Sequence, residues 1–247
     1  MTWFRNLIAR TSRPAPRPRP PCRPRLEALE GRQLLNASTA FDAAGNQLRL
    51  LVDTSGKLTE TYLGQTATLA TGVARAHAYR DSDGSIGVTV VYNNFTAYDY
   101  DHSGGHYLGP HIFDVDKAFD RAGHVQEDVT YYAGGNTYAT FEYTSTGAYQ
   151  VAQPPGTYAL QIHPFPDSQG NLGEDVTYFD LNNGVYVQSL IEYDSTGGRY
   201  IGQGAVADRA YDPTGQQFAY DVSYYASFVA VEYTNSSATL LGTDILG

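Results

Sequence analysis

Six acids recur at matched places in the second half of the chain. Asp128, Asp175 and Asp221 stand in EDVTYY, EDVTYF and YDVSYY, and Glu142, Glu192 and Glu232 are each followed by a tyrosine. Two facing carboxylates are what glycoside hydrolysis requires, one to protonate the leaving oxygen and one to attack or to activate water. A catalytic site on a repeated scaffold should break the repeat, whereas these acids obey it. They therefore read as the solvated face of strands, and no residue is assigned a catalytic role.

Oxygen ligands at alternate positions suggest calcium. Asp81 and Asp83 in DSDGS have this spacing, as do Asp114 and Asp116. A calcium loop also needs a third oxygen two residues on and a bidentate acid near its twelfth position. Ser85 supplies the former, but Asn93 stands at the latter. An Asp-Gly hairpin turn accounts for Asp83 and Gly84 without a metal. Calcium at Asp81, Asp83, Asp114 and Asp116 is thus an expectation to test, and no other cofactor is implied. His102, His106 and His111 in DHSGGHYLGPH form the densest run of transition-metal donors, although zinc sites usually add tighter spacing and a carboxylate or thiolate. No nucleophile elbow, P-loop or dinucleotide fingerprint is present. The 21 tyrosines outnumber the 10 phenylalanines. Outward rows such as Tyr132 with Tyr138, or Tyr225 with its neighbours, would offer apolar faces with polar tips for stacking on sugar rings. Core and cross-strand pairing is the alternative use of the same residues.

These side chains must be carried by strands. An aromatic residue and Asp precede a Gly in FDAAG, YRDSDG, FDRAG, FPDSQG and YDPTG, and the glycines Gly45, Gly84, Gly123, Gly170 and Gly215 are 39, 39, 47 and 45 residues apart. Self-similarity at that period marks an array of small supersecondary units. The third unit runs DKAFD, HVQEDVTYY, TYATFEYT and AYQV between the turns RAG, AGGN and STG. Alternation sets Val129 and Tyr131 on one face and Asp128, Thr130 and Tyr132 on the other, as in half-buried strands. Val129, Val176 and Val222 match, as do Tyr131, Tyr178 and Tyr224, and Tyr143, Tyr193 and Tyr233, so these valines and tyrosines are the expected core. Tight hairpins need positive φ, which Gly134, Gly135, Asn182, Asn183 and Gly184 tolerate. The first two units keep the pattern more loosely. Five units of about four antiparallel strands give an all-β domain, read as a five-bladed β-propeller. No strand is obviously placed to close the ring. The alternative is an open, spiralling antiparallel sheet of hairpins, and YDSTGGRY and YDPTGQQF resemble the Tyr-Asp (YD) repeats of bacterial surface shells and toxins.

Charge divides the chain. Eight arginines and two acids fall within residues 1–32, and the remainder carries eight basic against 24 acidic residues, a net of −16. Such a body repels nucleic acid. Cys22, the lone cysteine, lies in the tail, so the body has no intramolecular disulfide. No stretch reaches the roughly 18 consecutive apolar residues of a membrane span. Residues 1–36 form a basic Arg/Pro-rich tail, expected to be extended, and 37–247 form one repeat domain.

Trp3 and Phe4, the Arg-Pro run and LEALEGRQLL resemble the N-terminal LEPR-XLL segment of bacterial surface and exported proteins. The pattern is met by Leu26, Glu27, Leu29, Glu30, Arg32, Leu34 and Leu35, with Asn36 where Ser is usual. That resemblance implies export or display at the cell surface. A basic tail binding acidic surfaces by charge is the alternative. The expected protein is a noncatalytic extracellular or cell-surface repeat domain that recognises glycans or protein partners, with a propeller-type glycoside hydrolase as the alternative.

Overall fold

The computed structural model describes residues 36–243, apart from 135–136, 152–156, 183–184, 195–196, 204 and 225–228. Leu26, Glu27, Leu29, Glu30, Arg32, Leu34 and Leu35 lie outside the described residues, as do Gly135, Asn183, Gly184 and Tyr225. Among the described residues twenty strands form five four-stranded antiparallel sheets, each a meander of consecutive strands. The first strands of the sheets are β1 (Asn36–Phe41), β5 (Val73–Arg80), β9 (Ile112–Phe119), β13 (Thr157–Pro166) and β17 (Ala205–Tyr211). The second strands are β2 (Gln47–Val52), β6 (Ile86–Tyr92), β10 (Val125–Gly134), β14 (Leu172–Asn182) and β18 (Phe218–Tyr224). The third are β3 (Leu58–Tyr62), β7 (Ala97–Asp101), β11 (Thr137–Thr144), β15 (Val185–Asp194) and β19 (Val229–Thr234). The fourth are β4 (Gln65–Ala70), β8 (Gly104–Gly109), β12 (Gly147–Gln150), β16 (Gly197–Gln203) and β20 (Ala238–Thr243).

First strands touch in the cyclic order β1, β5, β9, β13, β17, and β17 returns to β1. This closure makes the protein a five-bladed β-propeller and sets the open spiral aside. β1 is buried at every position and β12 is exposed at every position, so first strands face the axis and fourth strands the rim. No helix among the described residues is long and apolar enough to cross a membrane.

The recurrent Asp-to-Gly segments are the turns between first and second strands. Asp42 Oδ1 accepts from the Ala44 and Asn46 amides, Asp120 Oδ1 from Ala122 and His124, and Asp167 Oδ1 from Gln169 and Asn171. Aspartate is used here because its short carboxylate satisfies amides that the tight turn leaves unpaired. The turns also touch one another around the ring: the Ala43 amide donates to Gly84 O at 2.8 Å and the Arg121 amide to Gly170 O at 2.9 Å.

Apolar packing between blades uses the matched valines. Val129, Val176 and Val222 are buried, while Tyr131 and Tyr178 are half-buried against them. Each fully buried valine contributes about 1.5–3 kcal/mol. Polar side chains stitch blades as well. The Ala76 and Ala78 amides donate to Asn36 Oδ1 and Ser38 Oγ at 2.8 Å, and Thr89 Oγ1 donates to Val115 O at 2.7 Å.

Among the described residues no strand is exchanged between first and last blades, because each sheet is built from successive strands. The seam between first and last blades is fastened by side chains instead. Glu232 on β19 accepts from Arg49, from Gln47 Nε2 at 2.6 Å and from Thr39 Oγ1 at 3.3 Å.

Candidate functional site

Four residues before the turn aspartates Asp42, Asp81, Asp120, Asp167 and Asp212 stand Ser38, His77, Asp116, His163 and Asp208. All five are buried on the first strands. They come from every blade and meet at the axis. His77 Nδ1 lies 3.8 Å from Asp116 Oδ2 and 3.7 Å from Asp208 Oδ2. The His77 and His163 ring centroids are 4.5 Å apart, and His163 Nδ1 is 3.0 Å from Asp116 Oδ2. One step along the axis, Asp114 Oδ1 is 3.0 Å from His77 Nε2.

Register then places an acid behind most axial residues. Asp116 pairs with Asp128 and that in turn with Glu142, His163 with Asp175 and then Glu192, and Asp208 with Asp221 and then Glu232, whereas His77 pairs with Thr89 and that with Asp99. The expectation that Asp128, Asp175, Asp221, Glu142, Glu192 and Glu232 form a solvated face is corrected here. Glu142 is half-buried and the other five are buried, because the neighbouring blade covers the face they share. Cations reach some of them. Arg209 Nη2 donates to Glu192 Oε2 at 2.8 Å and its Nε lies 3.5 Å from Asp175 Oδ2, while Lys117 pairs with Asp99.

Burial of charge dominates the electrostatics. It pushes Asp175 up to about 7, against the pull of Arg209 and with the push of Glu192. It likewise holds Asp128 and Asp221 well above the usual carboxylate range and raises Asp116 to about 6 despite His77 and His163. Burial alone would lower the His77 imidazole, but Asp114 and Asp116 outweigh it and hold it well above its ordinary value. Such shifts recur both in catalytic centres and in buried ionic networks. Access separates the two. The axial mouth beside the first turns, lined by Tyr79, Arg80, Phe119, Pro166 and Tyr211 among others, encloses about 20 Å³. That is room for about one water and far too little for a sugar ring, so a sugar does not reach the acids through this mouth.

A larger recess lies on the flank of the first blade. About 400 Å³ is bordered by Gly45, Asn46, Gln47, Arg49, Thr61, Leu63 and Gly64. Leu63 and Gly64 form the two-residue turn between Tyr62 and Gln65, with φ of 50° and 75°. Positive φ at both central residues is what this hairpin needs, and Asn-Gly would satisfy it at lower cost than Leu-Gly. Leu63 is nevertheless 66% exposed at the edge of the recess. Arg49, held by Glu232, supplies its charge.

Tyrosines fall into two groups. Tyr92 with Tyr100, Tyr131 with Tyr143 and Tyr178 with Tyr193 bring hydroxyls within 3.4, 3.3 and 3.4 Å, one pair on each of three blades. Around the first of these pairs, Tyr98 lies 5.2 Å from the exposed Tyr107 ring and 6.0 Å from Tyr100. The row of Tyr132 with Tyr138 is half-buried instead, stacked on Phe95 and packed edge-on to Phe113.

The calcium expectation divides in the structure. Asp114 and Asp116 join the axial imidazoles, whereas Asp81 and Asp83 stand at a surface turn beside His102 Nδ1, at 3.3 and 3.2 Å. Turn hydrogen bonds occupy the latter pair, with Asp83 Oδ1 accepting from Ser85 N and Oγ and Asp81 Oδ1 from Ser82 N. His102, His106 and His111 do not gather: His106 packs on Asp101 and Ser103, and His111 sits in a turn at φ 62°. His77, His163 and Asp208 were not singled out by motif. The signal that finds them is their fixed offset from the turn aspartate.

No family model matches the chain, and no curated protein matches it in sequence. Among solved structures it is similar to MPT-4, a mannose phosphorylase from Leishmania mexicana, at 13% identity and a TM-score of 0.52, over 86% of this chain and 88% of that one. AofleA from Arthrobotrys oligospora aligns at 11% identity and 0.48, over 86% and 73%. The Aleuria aurantia lectin in complex with Fucα1-6GlcNAc aligns at 14% and 0.46, over 87% and 81%. The first of these agrees with the ring of blades, and at that identity it bears on the fold alone.

Proposed function

We propose that the protein is a noncatalytic, exported surface or matrix component that binds glycans in the recess of its first blade. The observation that carries this reading is the chemistry of that recess. Asn46 and Gln47 bring side-chain amides, Thr61 a hydroxyl, Arg49 a guanidinium and Leu63 an apolar edge, around about 400 Å³. Sugar hydroxyls both donate and accept, which amides and hydroxyls match, and ligand pockets of roughly 300–1,000 Å³ are the usual size. Strands and a short turn hold these groups, so little order is lost on binding. Export rests on the resemblance of the tail, and the tyrosine-rich rim is a second surface for partners.

Hydrolysis by two carboxylates is disfavoured by where the acids are. Glu232, the acid beside the recess, is buried and bound by Arg49, Gln47 and Thr39, while the axial acids lie beneath a mouth too small for a sugar.

A glycan array probed with the full chain tests the reading, followed by calorimetry on any hit. Leu63→Asn keeps the turn, since Asn adopts positive φ readily, and is expected to weaken binding at least about fivefold, in the range of a lost apolar contact. Thr61→Ala should act in the same direction. No hit at high protein concentration, or hits indifferent to both substitutions, would remove this assignment and leave a structural role.

A further inference from the structure

The axial cluster presents polar atoms that no protein group satisfies. His77 Nδ1, His163 Nε2, Asp114 Oδ2 and Asp208 Oδ2 are buried and hydrogen-bond to no protein atom. Unpaired buried polar atoms cost about 1–3 kcal/mol each, and two of these, His77 Nδ1 and Asp208 Oδ2, face one another at 3.7 Å without a hydrogen bond, which calls for an explanation.

His77 is already oriented as a ligand. Its Nε2 lies 3.0 Å from Asp114 Oδ1, which leaves Nδ1 facing Asp116 Oδ2 and Asp208 Oδ2, and a cation bound there would take the place of the Nδ1 proton that these carboxylates favour. A carboxylate behind an imidazole is the usual way in which a metal-binding histidine is fixed in tautomer and angle. The 3.7 and 3.8 Å separations exceed a hydrogen bond. Tetrahedral bonds of about 2.0–2.2 Å put neighbouring ligand atoms roughly 3.4 Å apart, so a contraction of a few tenths of an ångström brings each carboxylate oxygen to bonding distance of a cation on Nδ1, with water in the fourth position.

We propose that the propeller axis binds one divalent transition-metal cation of the zinc type through His77 Nδ1, Asp116 Oδ2 and Asp208 Oδ2. The donor set selects the class. Imidazole with carboxylates suits zinc and its neighbours, whereas calcium prefers six to eight oxygens. The cation joins blades two, three and five, and its charge offsets the acids crowded behind the axis. With a closed mouth above it, its role is structural.

The experiment uses the full chain, stripped with chelator and titrated with zinc alone by calorimetry, with melting followed in parallel. About one equivalent should bind and raise Tm, since a ligand of the folded state stabilises it by mass action. Cobalt(II) should give the intense visible bands of a four-coordinate nitrogen and oxygen site. His77→Gln and Asp208→Asn should each weaken binding by about 100-fold, at or beyond the loss typical of second-sphere changes. Asp83→Asn, at the exposed Asp81, Asp83 and His102 group, should leave affinity and stoichiometry unchanged. If His77→Gln fails to fold, the cobalt spectrum of the unmodified chain still decides. Absence of zinc and cobalt uptake would overturn the proposal in favour of a proton-held imidazolium–carboxylate network. Calcium uptake alone, or loss of zinc binding in Asp83→Asn, would overturn it too.

Discussion

Arg49 on β2 and Glu232 on β19, 183 residues apart, form a guanidinium–carboxylate pair across the seam where the last blade meets the first. Among the described residues no strand is shared at that point, so side chains help to resist its opening. Glu232 is buried with three donor groups around it, and Arg49 keeps 30% of its side chain exposed. Exposed pairs contribute about 0–1 kcal/mol, whereas breaking a buried pair costs about 3–5 kcal/mol. Arg49→Ala is accordingly expected to cost about 2 kcal/mol in denaturant unfolding, because the carboxylate stays buried with fewer donors. Glu232→Gln should cost less. Equal stability of Arg49→Ala and the parent chain would mean that the seam is held by apolar packing alone.

Gly87 makes room for Tyr79. A Cβ on Gly87 would stand 2.2 Å from Tyr79 Cζ, and the Tyr79 hydroxyl donates to Asp99 Oδ1 at 2.6 Å. Gly87→Ala must push the ring off that bond, at a cost of about 2 kcal/mol, within the range for overpacking. Tyr79→Leu loses the hydroxyl contact but removes the clash. The double variant should therefore be less destabilised than the sum of the singles by about 1 kcal/mol, measured as a double-mutant cycle. Additive effects would show that the close approach relaxes without strain.

Turn aspartates predict acid-labile turns. Slight burial pushes the Asp42 carboxyl up, but hydrogen bonds from Tyr62, Asn46 and Ala44 outweigh it and hold it low. Ser103 draws Asp101 down to about 2, and Asp120 and Asp212 are lowered as well. A carboxyl held below its unfolded value of about 3.9 contributes stability that is complete above that pH. It is lost as pH falls through the folded value, so this part of the stability should disappear between about pH 4 and pH 2. Tyr62→Phe deletes the 2.6 Å bond to Asp42 Oδ2 and should raise the Asp42 pKa, read by carboxyl NMR. An unmoved Asp42 titration would mean that the backbone amides alone set it.

The architecture was readable because it rests on local chemistry. A turn of Asp and Gly declares itself in short strings, and Val129, Val176 and Val222 declare the covered face by alternation. The axial cluster was less visible, since Ser38, His77, Asp116, His163 and Asp208 share a position but not a residue type. Only alignment on the turn aspartates brings them into one column. The six recurrent acids were misplaced for a related reason. Alternation reports that a strand has two faces, and it does not report that both faces of a propeller blade are covered by neighbours. Asp128, Asp175 and Asp221 lie on a polar face that is also an interface, which a half-solvated sheet would not have. The recess was illegible because Arg49, its charged side, is held by Glu232 from the opposite end of the domain.

Turn glycines separate two causes of the same repeat. Gly123 has φ 83° and open space where a Cβ would go, so only its backbone conformation demands glycine. Gly215 has φ 69°, and a Cβ there would lie 2.4 Å from Ser168 O in the turn of the preceding blade. Gly123→Ala should cost about 1 kcal/mol, the penalty of a left-handed conformation for an L-residue. Gly215→Ala adds a clash with backbone, which cannot rotate away as a side chain can, and should cost about 3 kcal/mol. Urea unfolding of both variants measures the difference. A gap of about 2 kcal/mol assigns Gly215 to the contact between blades four and five. Equal costs would mean that the turns tolerate separation there, and that adjacent blades are held by their strand faces rather than at the rim of turns.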